Sequence, residues 1–203
     1  MLGIFLDTET NGLNPHKHCI LQLAYRIIDI ETKQLHHAYE IVIEQSPLNW
    51  DRSDKKSLEI NGFDWETICT GIPPEEVASA IIADFANIGI KRGEAVFICQ
   101  NPSFDRAFFS QLVDPDMQES LNWPYHWLDL ASMYWAIHIR KEPFPWQTGV
   151  SKDKISDTYS LPPEKKPHRA MNGVNHLIEC YEAVVGFPSK LPEHPLLTRA
   201  PNR

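Results

Sequence analysis

The chain has 203 residues, of which 42% are hydrophobic, and its formal net charge is −8. This length fits one α/β domain better than two small ones. The negative charge argues against a protein that grips long duplex nucleic acid by its phosphates. The sequence has no long uncharged apolar run and no basic, signal-like start. We therefore expect a soluble, cytoplasmic protein with no membrane partner.

The four cysteines are scattered along the chain, at Cys19, Cys69, Cys99 and Cys180. No Cys-x-x-Cys spacing is present, which argues against a zinc ribbon or a disulfide framework and favours free thiols. His16-x-His18-Cys19 offers soft ligands, but no second ligand group follows at zinc-finger spacing.

Five segments have the composition of strands. The apolar run Leu2–Leu6 predicts a buried central strand, and the residues 19–30 and 35–44 predict two more with short links. Short links favour an antiparallel arrangement of these three. Ala95–Cys99 and Trp127–Leu128 predict two further strands.

Helices are predicted around the later strands. Prolines and acids at Pro73–Glu76 begin a helix that Gly89 ends. Apolar residues at helical spacing predict others. They cover residues 53–60, 101–113, 130–139 and 174–185. Residues 141–167 predict a long, proline-rich loop with a brief helix at 154–159, and a loop of this length is more often functional than idle.

These elements predict an α/β domain with a mixed five-stranded sheet, three strands antiparallel and the later ones parallel, flanked by helices. The domain covers residues 1–187, and the proline-rich residues 188–203 form a loosely attached tail. We expect the first strand to lie near the middle of the sheet, with chemistry where strand ends and helix starts converge.

Two carboxylates mark the end of the first strand. Asp7 and Glu9 are two residues apart, so in a strand they project from the same face. Two like charges this close are costly unless a cation neutralises them. The pair therefore predicts a divalent metal site beside the turn at Asn11-Gly12.

Two later residues are candidates for the same site as Asp7 and Glu9. Asp105 follows the buried strand Ala95–Cys99 and falls in the first turn of the next helix, where a carboxylate also suits the helix dipole. His168 stands at the entry to the last helix. Opposite a metal held by carboxylates, a histidine is a plausible general base near neutral pH.

These segments together resemble the three sequence blocks of the DEDDh 3′–5′ exonucleases, the superfamily of ribonuclease T, oligoribonuclease and polymerase proofreading subunits. The blocks read Phe-x-Asp-x-Glu-Thr-x-Gly from Phe5, Asn-x-x-Phe-Asp from Asn101, and His-x-Ala from His168. The resemblance covers roughly residues 1–187. It implies a ribonuclease H-like sheet and hydrolysis of the 3′-terminal phosphodiester of single-stranded or short nucleic acids with Mg²⁺ or Mn²⁺.

The resemblance also implies roles for individual residues. Two cations about 4 Å apart clamp the scissile phosphate in such a mechanism. Asp7 bridges them, Glu9 and Asp105 support them, and His168 accepts the proton of the attacking water. The family contacts the terminal nucleotide at the positions that match Thr10, Leu13 and Asn101. Phe144 and Trp146 are candidates for stacking on a base, although packing explains them equally well.

One position departs from the family pattern. The family has a fourth carboxylate five residues after the histidine, where this chain has Gly173. Glu179, six residues further on, faces another side of the helix. Three outcomes remain open: weak or metal-specific activity, an acid supplied from elsewhere such as Glu164, or a domain that binds 3′ ends without cutting. The four remaining family residues favour catalysis.

The partners expected from the resemblance are single-stranded DNA or RNA 3′ ends and short oligonucleotides. Discrimination of a 2′-hydroxyl needs one or two contacts that the sequence does not place. A homodimer is also possible, since related exonucleases often pair.

Overall fold

The computed structural model describes residues 1–188, so the predicted tail lies almost entirely outside the described residues. Five strands form one sheet in the order β3-β2-β1-β4-β5. The strands are β1 (Leu2–Thr10), β2 (Ile20–Asp29), β3 (Leu35–Val42), β4 (Ala95–Cys99) and β5 (Trp127–Asp129). β1 to β3 pair antiparallel, while β4 runs parallel to β1 and β5 runs parallel to β4. The predicted mixed sheet, with its first strand in the middle, is confirmed.

Ten helices are found in the described part of the chain. They are α1 (Pro47–Trp50), α2 (Lys55–Asn61), α3 (Trp65–Ile68), α4 (Pro74–Ile88), α5 (Pro102–Phe109), α6 (Pro115–Ser120), α7 (Leu130–His138), α8 (Pro145–Thr148), α9 (Lys152–Tyr159) and α10 (Ala170–Val184). In residues 1–188 no helix is both long and apolar enough to cross a membrane.

The sheet separates two apolar cores. One face of β1 presents Ile4 and Leu6 to a core that includes Phe85 of α4 and Phe108 of α5. The other face presents Phe5 to Val174 and other residues of α10, together with α7 and α9. This alternation follows from the two-residue period of a strand that is covered on both faces.

The secondary structure differs from the prediction mainly in short helices. The helix predicted over 101–113 ends at Phe109, and α6 follows after a turn at residues 110–113, with Asp114 as its N-cap. The segment predicted as a long loop contains both α8 and a full α9. Ser151 caps α9 by accepting a hydrogen bond from the backbone of Lys154, so the helix begins earlier than predicted.

Candidate active site

β1 holds Asp7 and Glu9 at an open edge of strand pairing. The parallel register with β4 ends at Phe5 and Ile98, whereas β2 continues beside Asp7 and Glu9. Beyond Phe5, therefore, β1 has a neighbouring strand on one side only. Both acids project from this stretch, with the Asp7 side chain 15% exposed and Glu9 9% exposed.

Asp105 approaches the same stretch from the first turn of α5. Its Oδ1 accepts hydrogen bonds from the backbone N–H of Thr8, at 3.1 Å, and from the Thr8 hydroxyl, at 2.9 Å. The side chain is buried. The central strand itself therefore fixes Asp105 close enough to Asp7 for their charges to interact.

Burial and mutual repulsion make these three carboxylates hard to ionise. Burial and the neighbouring charge of Asp7 raise the pKa of Glu9 to about 8. The same two causes raise the pKa of Asp105 to about 8, against the lowering effect of the Thr8 hydrogen bonds. Burial also raises the pKa of Asp7, although Lys152 opposes it. Acids that resist ionisation in this way favour the binding of a cation.

His168 lies just before α10, on the opposite side of the site. Its backbone N–H donates to the carbonyl of Ile60, and its ring Nδ1 lies 3.4 Å from Oε1 of Glu164. The start of α10 is also fixed to the sheet, because the N–H of Ala170 donates to Oε1 of Gln22 in β2 at 2.9 Å. The ring remains partly exposed, which a residue that exchanges a proton with water requires.

Gly173 lies against Asp7. A Cβ atom at this position would be 2.2 Å from Oδ2 of Asp7, well inside van der Waals contact. The carboxylate of Asp7 therefore uses the space that a side chain at position 173 would need. The missing acid is not replaced at its own position.

Lys152, at the start of α9, was not identified from the sequence. Its Nζ lies 3.1 Å from Oδ1 of Asp7 and 3.1 Å from Oε2 of Glu164, and it donates to the carbonyl oxygen of Gly173 at 3.4 Å. The side chain is 14% exposed. Burial alone would lower the pKa of this lysine, but the two carboxylates reverse the effect and raise it. Nothing in the local sequence distinguishes Lys152 from an ordinary surface lysine.

Glu164 is the acid that the sequence suggested as a substitute, and it lies on the other side of Lys152 from Asp7. Burial would raise its pKa, but His176, whose Nδ1 lies 3.5 Å from Oε2, and the charge of Lys152 outweigh this and lower the pKa to about 2. His176 is itself buried and binds Ser156 Oγ through Nε2 at 2.5 Å. The positive charge of Lys152 therefore balances the negative charge of Glu164 in this part of the site.

Comparisons with known proteins identify the family of the chain. Residues 4–181 match the model of the RNase T family, described as exonucleases. The chain belongs to this exonuclease family. The match places it in the DEDD exonuclease superfamily that the sequence blocks resemble. No curated protein matches the chain significantly.

Solved exonuclease structures share the fold. Cell-death related nuclease 4 has a TM-score of 0.69 at 14% identity, over 89% of this chain and 62% of that chain. Escherichia coli exonuclease I in complex with a dT13 oligonucleotide has a TM-score of 0.71 at 15% identity, over 92% and 41%. Its zinc-bound complex with single-stranded DNA gives 0.70 at 14%, over 91% and 40%. The chain spans less than two thirds of each of these proteins.

The donor types of this exonuclease domain suit a divalent cation. Asp7, Glu9 and Asp105 supply the carboxylate oxygens that Mg²⁺ and Mn²⁺ prefer, and burial together with mutual repulsion raises the pKa values of Glu9 and Asp105. Within residues 1–188, however, no three acidic, histidine or cysteine side chains are already placed to share an ion. Asp7 instead faces Lys152 and Gly173.

The predicted nucleotide contacts lie next to the elements that carry the acids: Thr10 ends β1, Leu13 follows it, and Asn101 is the N-cap of α5. Thr10 donates its hydroxyl to the carbonyl of Gly12, Leu13 is 77% exposed, and Asn101 accepts a hydrogen bond from Ser103. Leu13 is thus an apolar side chain available to a ligand. Roles in nucleotide binding stay predictions for all three.

Phe144 and Trp146 form an aromatic pair at the start of α8. Their rings stack at 4.6 Å, with 10° between the planes, and Trp146 also contacts Trp135 at 5.6 Å. Trp146 is nevertheless 56% exposed. Packing explains one face of the pair, and base stacking stays a prediction.

Proposed function

We propose that this chain is a metal-dependent exonuclease that removes nucleotides from the 3′ ends of single-stranded or short nucleic acids. The observation that carries the proposal is the group of Asp7, Glu9 and Asp105 at the open end of β1. Two of these acids have pKa values raised to about 8, as expected of carboxylates waiting for a cation.

The three carboxylates would hold Mg²⁺ or Mn²⁺. When bound, such an ion supplies charge stabilisation at the phosphoryl oxygens and acidifies a water molecule. His168 then accepts the proton of the attacking water. Glu164 Oε1, 3.4 Å from Nδ1 of His168, orients the ring.

A small, local substrate site is supported by the net charge of −8, which does not favour long phosphate contacts. Escherichia coli exonuclease I binds single-stranded oligonucleotides in its solved complexes, and we propose the same substrate class here. Leu13, Thr10 and Asn101 are the proposed contacts to the terminal nucleotide. The homodimer and the cytoplasmic location stay predictions.

The test uses a short single-stranded oligonucleotide labelled at its 5′ end, incubated with Mg²⁺ or Mn²⁺. We expect a ladder of shortened products that keep the label, which defines the 3′–5′ direction. Asp7→Ala and Asp105→Asn should abolish the ladder, whereas Glu179→Gln, which removes an exposed acid of α10, should leave it intact. The proposal is contradicted if neither Mg²⁺ nor Mn²⁺ leads to shortening of the oligonucleotide, or if the Asp7→Ala variant still produces the ladder.

A second function is favoured by the ion pair between Lys152 and Asp7. If this pair does not yield to a metal, the domain holds a nucleic-acid 3′ end without cutting it. Fluorescence anisotropy of a labelled oligonucleotide separates the two functions. Saturable binding in EDTA and in Mg²⁺, with no shortening in either, identifies a binding domain.

A further inference from the structure

We propose that the ammonium group of Lys152 takes the place of one of the two cations, so that this site holds a single divalent ion. The inference rests on the proposed metal-dependent function. It assigns to Lys152 a role that the three family sequence blocks do not contain.

The surroundings of the ammonium group are those of a bound cation. Its three neighbours are a carboxylate oxygen of Asp7, a carboxylate oxygen of Glu164 and the carbonyl oxygen of Gly173, at 3.1, 3.1 and 3.4 Å. A lysine ammonium is a compact charge with three donors, so each donor has one oxygen. Oxygen ligands of this kind, carboxylate and backbone carbonyl, also suit hard divalent cations.

Gly173 and Lys152 both make the site less negative. A site with a carboxylate at position 173 and a neutral residue at position 152 would carry two more negative charges. Those two charges equal the charge of one divalent ion. Compared with such a site, this chain has one anion fewer and one cation more around the carboxylate of Asp7, with Gly173 against Oδ2 and Lys152 against Oδ1. A second divalent ion would therefore meet both steric and electrostatic opposition there.

Glu164 is consistent with this arrangement. Its side chain is only 3% exposed, and Oε1 has no hydrogen-bond partner, although His168 lies 3.4 Å away. Without Lys152, this carboxylate would face Asp7 across the same space. Asp7, Glu164 and the carbonyl of Gly173 would then form the ligands of a second ion.

The alternative is that Lys152 only fastens α9 to the sheet. Loss of a purely structural ion pair lowers stability but does not change the number of bound ions. Counting Mn²⁺ therefore distinguishes the two roles without substrate or turnover.

The experiment titrates the metal-free protein with Mn²⁺, using calorimetry and the loss of the free-ion signal in electron paramagnetic resonance. We expect one Mn²⁺ per chain for the wild type, two for Lys152→Met, and one again for Lys152→Met combined with Glu164→Gln. The matched control is Lys154→Met, which removes an exposed lysine from the same helix and should bind one ion.

Two ions or none in the wild type overturn the inference, and so does a folded Lys152→Met variant that still binds one. If that variant does not fold, Lys152→Gln provides the same count, because glutamine keeps polar contacts to the acids but removes the charge. One bound ion with no shortening of the oligonucleotide leaves this inference standing while the proposed exonuclease activity fails. If the wild type binds two ions and shortens the oligonucleotide, the proposed exonuclease activity stands and this inference fails.

Discussion

Two glutamates of the same site differ in their electrostatic surroundings. Burial and the charge of Asp7 raise the pKa of Glu9 to about 8, whereas the pKa of Glu164 is lowered to about 2. Both side chains are buried. Burial opposes ionisation of both, so the difference comes from their neighbours: Glu9 has other acids beside it, and Glu164 has Lys152 and His176.

The comparison divides the site into an acid half (Asp7, Glu9 and Asp105) and a lysine half (Lys152, Glu164 and His176). The acid half has no counter-charge of its own apart from the contact of Asp7 with Lys152 and therefore favours an external cation. In the lysine half, the ammonium group of Lys152 is the cation. Asp7 belongs to the acid half but contacts the lysine half, so changes at this contact should have the largest effects.

The largest expected effect comes from Lys152→Met. Removal of one member of a buried ion pair leaves the other charge uncompensated and costs about 3–5 kcal/mol. We expect the free energy of unfolding of the metal-free protein to fall by this amount in urea titrations at neutral pH. Lys154→Met should change it by less than about 0.5 kcal/mol, as at other exposed sites. Equal effects of the two variants would mean that Lys152 is not part of a buried charge cluster.

Gly173→Ala tests the contact between Asp7 and the bare backbone of α10. Alanine in a helix is normally about 1 kcal/mol more favourable than glycine. Here its Cβ would be 2.2 Å from Asp7 Oδ2, so we expect a loss of about 1–3 kcal/mol instead. In an Asp7→Ala background the clash is absent, and the same substitution should become stabilising. Urea titrations of the four proteins give the coupling directly, and no change of sign would contradict the close contact.

The acid half was predictable because its residues lie at the ends of regular elements. Asp7 and Glu9 follow an apolar strand, and Asp105 follows the next buried strand, so the sheet topology alone brings them together. His168 has a comparable position at the start of a helix. The strand order and the mixed sheet were predictable for the same reason, since apolar periodicity determines which segments are strands.

The lysine half was not predictable to the same degree. Lys152 and Glu164 lie in the segment predicted as a long loop, and tertiary packing against α10 determines where they point. Glu164 was considered only because an acid was missing, and His176 looks like any polar residue of a helix. The mutual contact of Gly173 and Asp7 also depends on distances below one side-chain length, which residue spacing does not give.

The pH dependence of stability should differ between the two halves. Glu9 and Asp105 have raised pKa values when folded, so their contribution is complete below about pH 4 and is lost as the pH rises through about 8. Glu164 behaves oppositely, because its contribution is present above about pH 4.5 and is lost as the pH falls towards 2. One such group alone changes the stability by about 1.4 kcal/mol per pH unit below its folded pKa, so we expect the metal-free protein to lose at least about 2–3 kcal/mol between pH 6 and 8.5.

Urea titrations in EDTA measure this loss, and Mg²⁺ should remove it by binding the ionised acids. Burial lowers the pKa of His176, but the proximity of Cys180 and Glu164 raises it to about 9, so His176 adds a loss in the same direction. Glu9→Gln combined with Asp105→Asn separates the contributions. Unchanged pH dependence in this double variant would assign the effect to His176 or Asp7 and not to Glu9 and Asp105.

The smallest effect is expected from Thr8→Val, which removes one of the two hydrogen bonds that Asp105 accepts from Thr8. The backbone N–H of Thr8 remains at 3.1 Å from Asp105 Oδ1, so the loss is limited to the hydroxyl contact at 2.9 Å. We expect a cost of about 1 kcal/mol in urea titrations. Because this hydrogen bond lowers the pKa of Asp105, its removal should raise that pKa further and shift Mn²⁺ binding to higher pH.

Thr8→Ser keeps the hydroxyl and should preserve the pH profile of Mn²⁺ binding measured by calorimetry. If the pH profile of Mn²⁺ binding shifts as far in Thr8→Ser as in Thr8→Val, the threonine methyl group, and not the hydrogen bond, determines the pH dependence of binding.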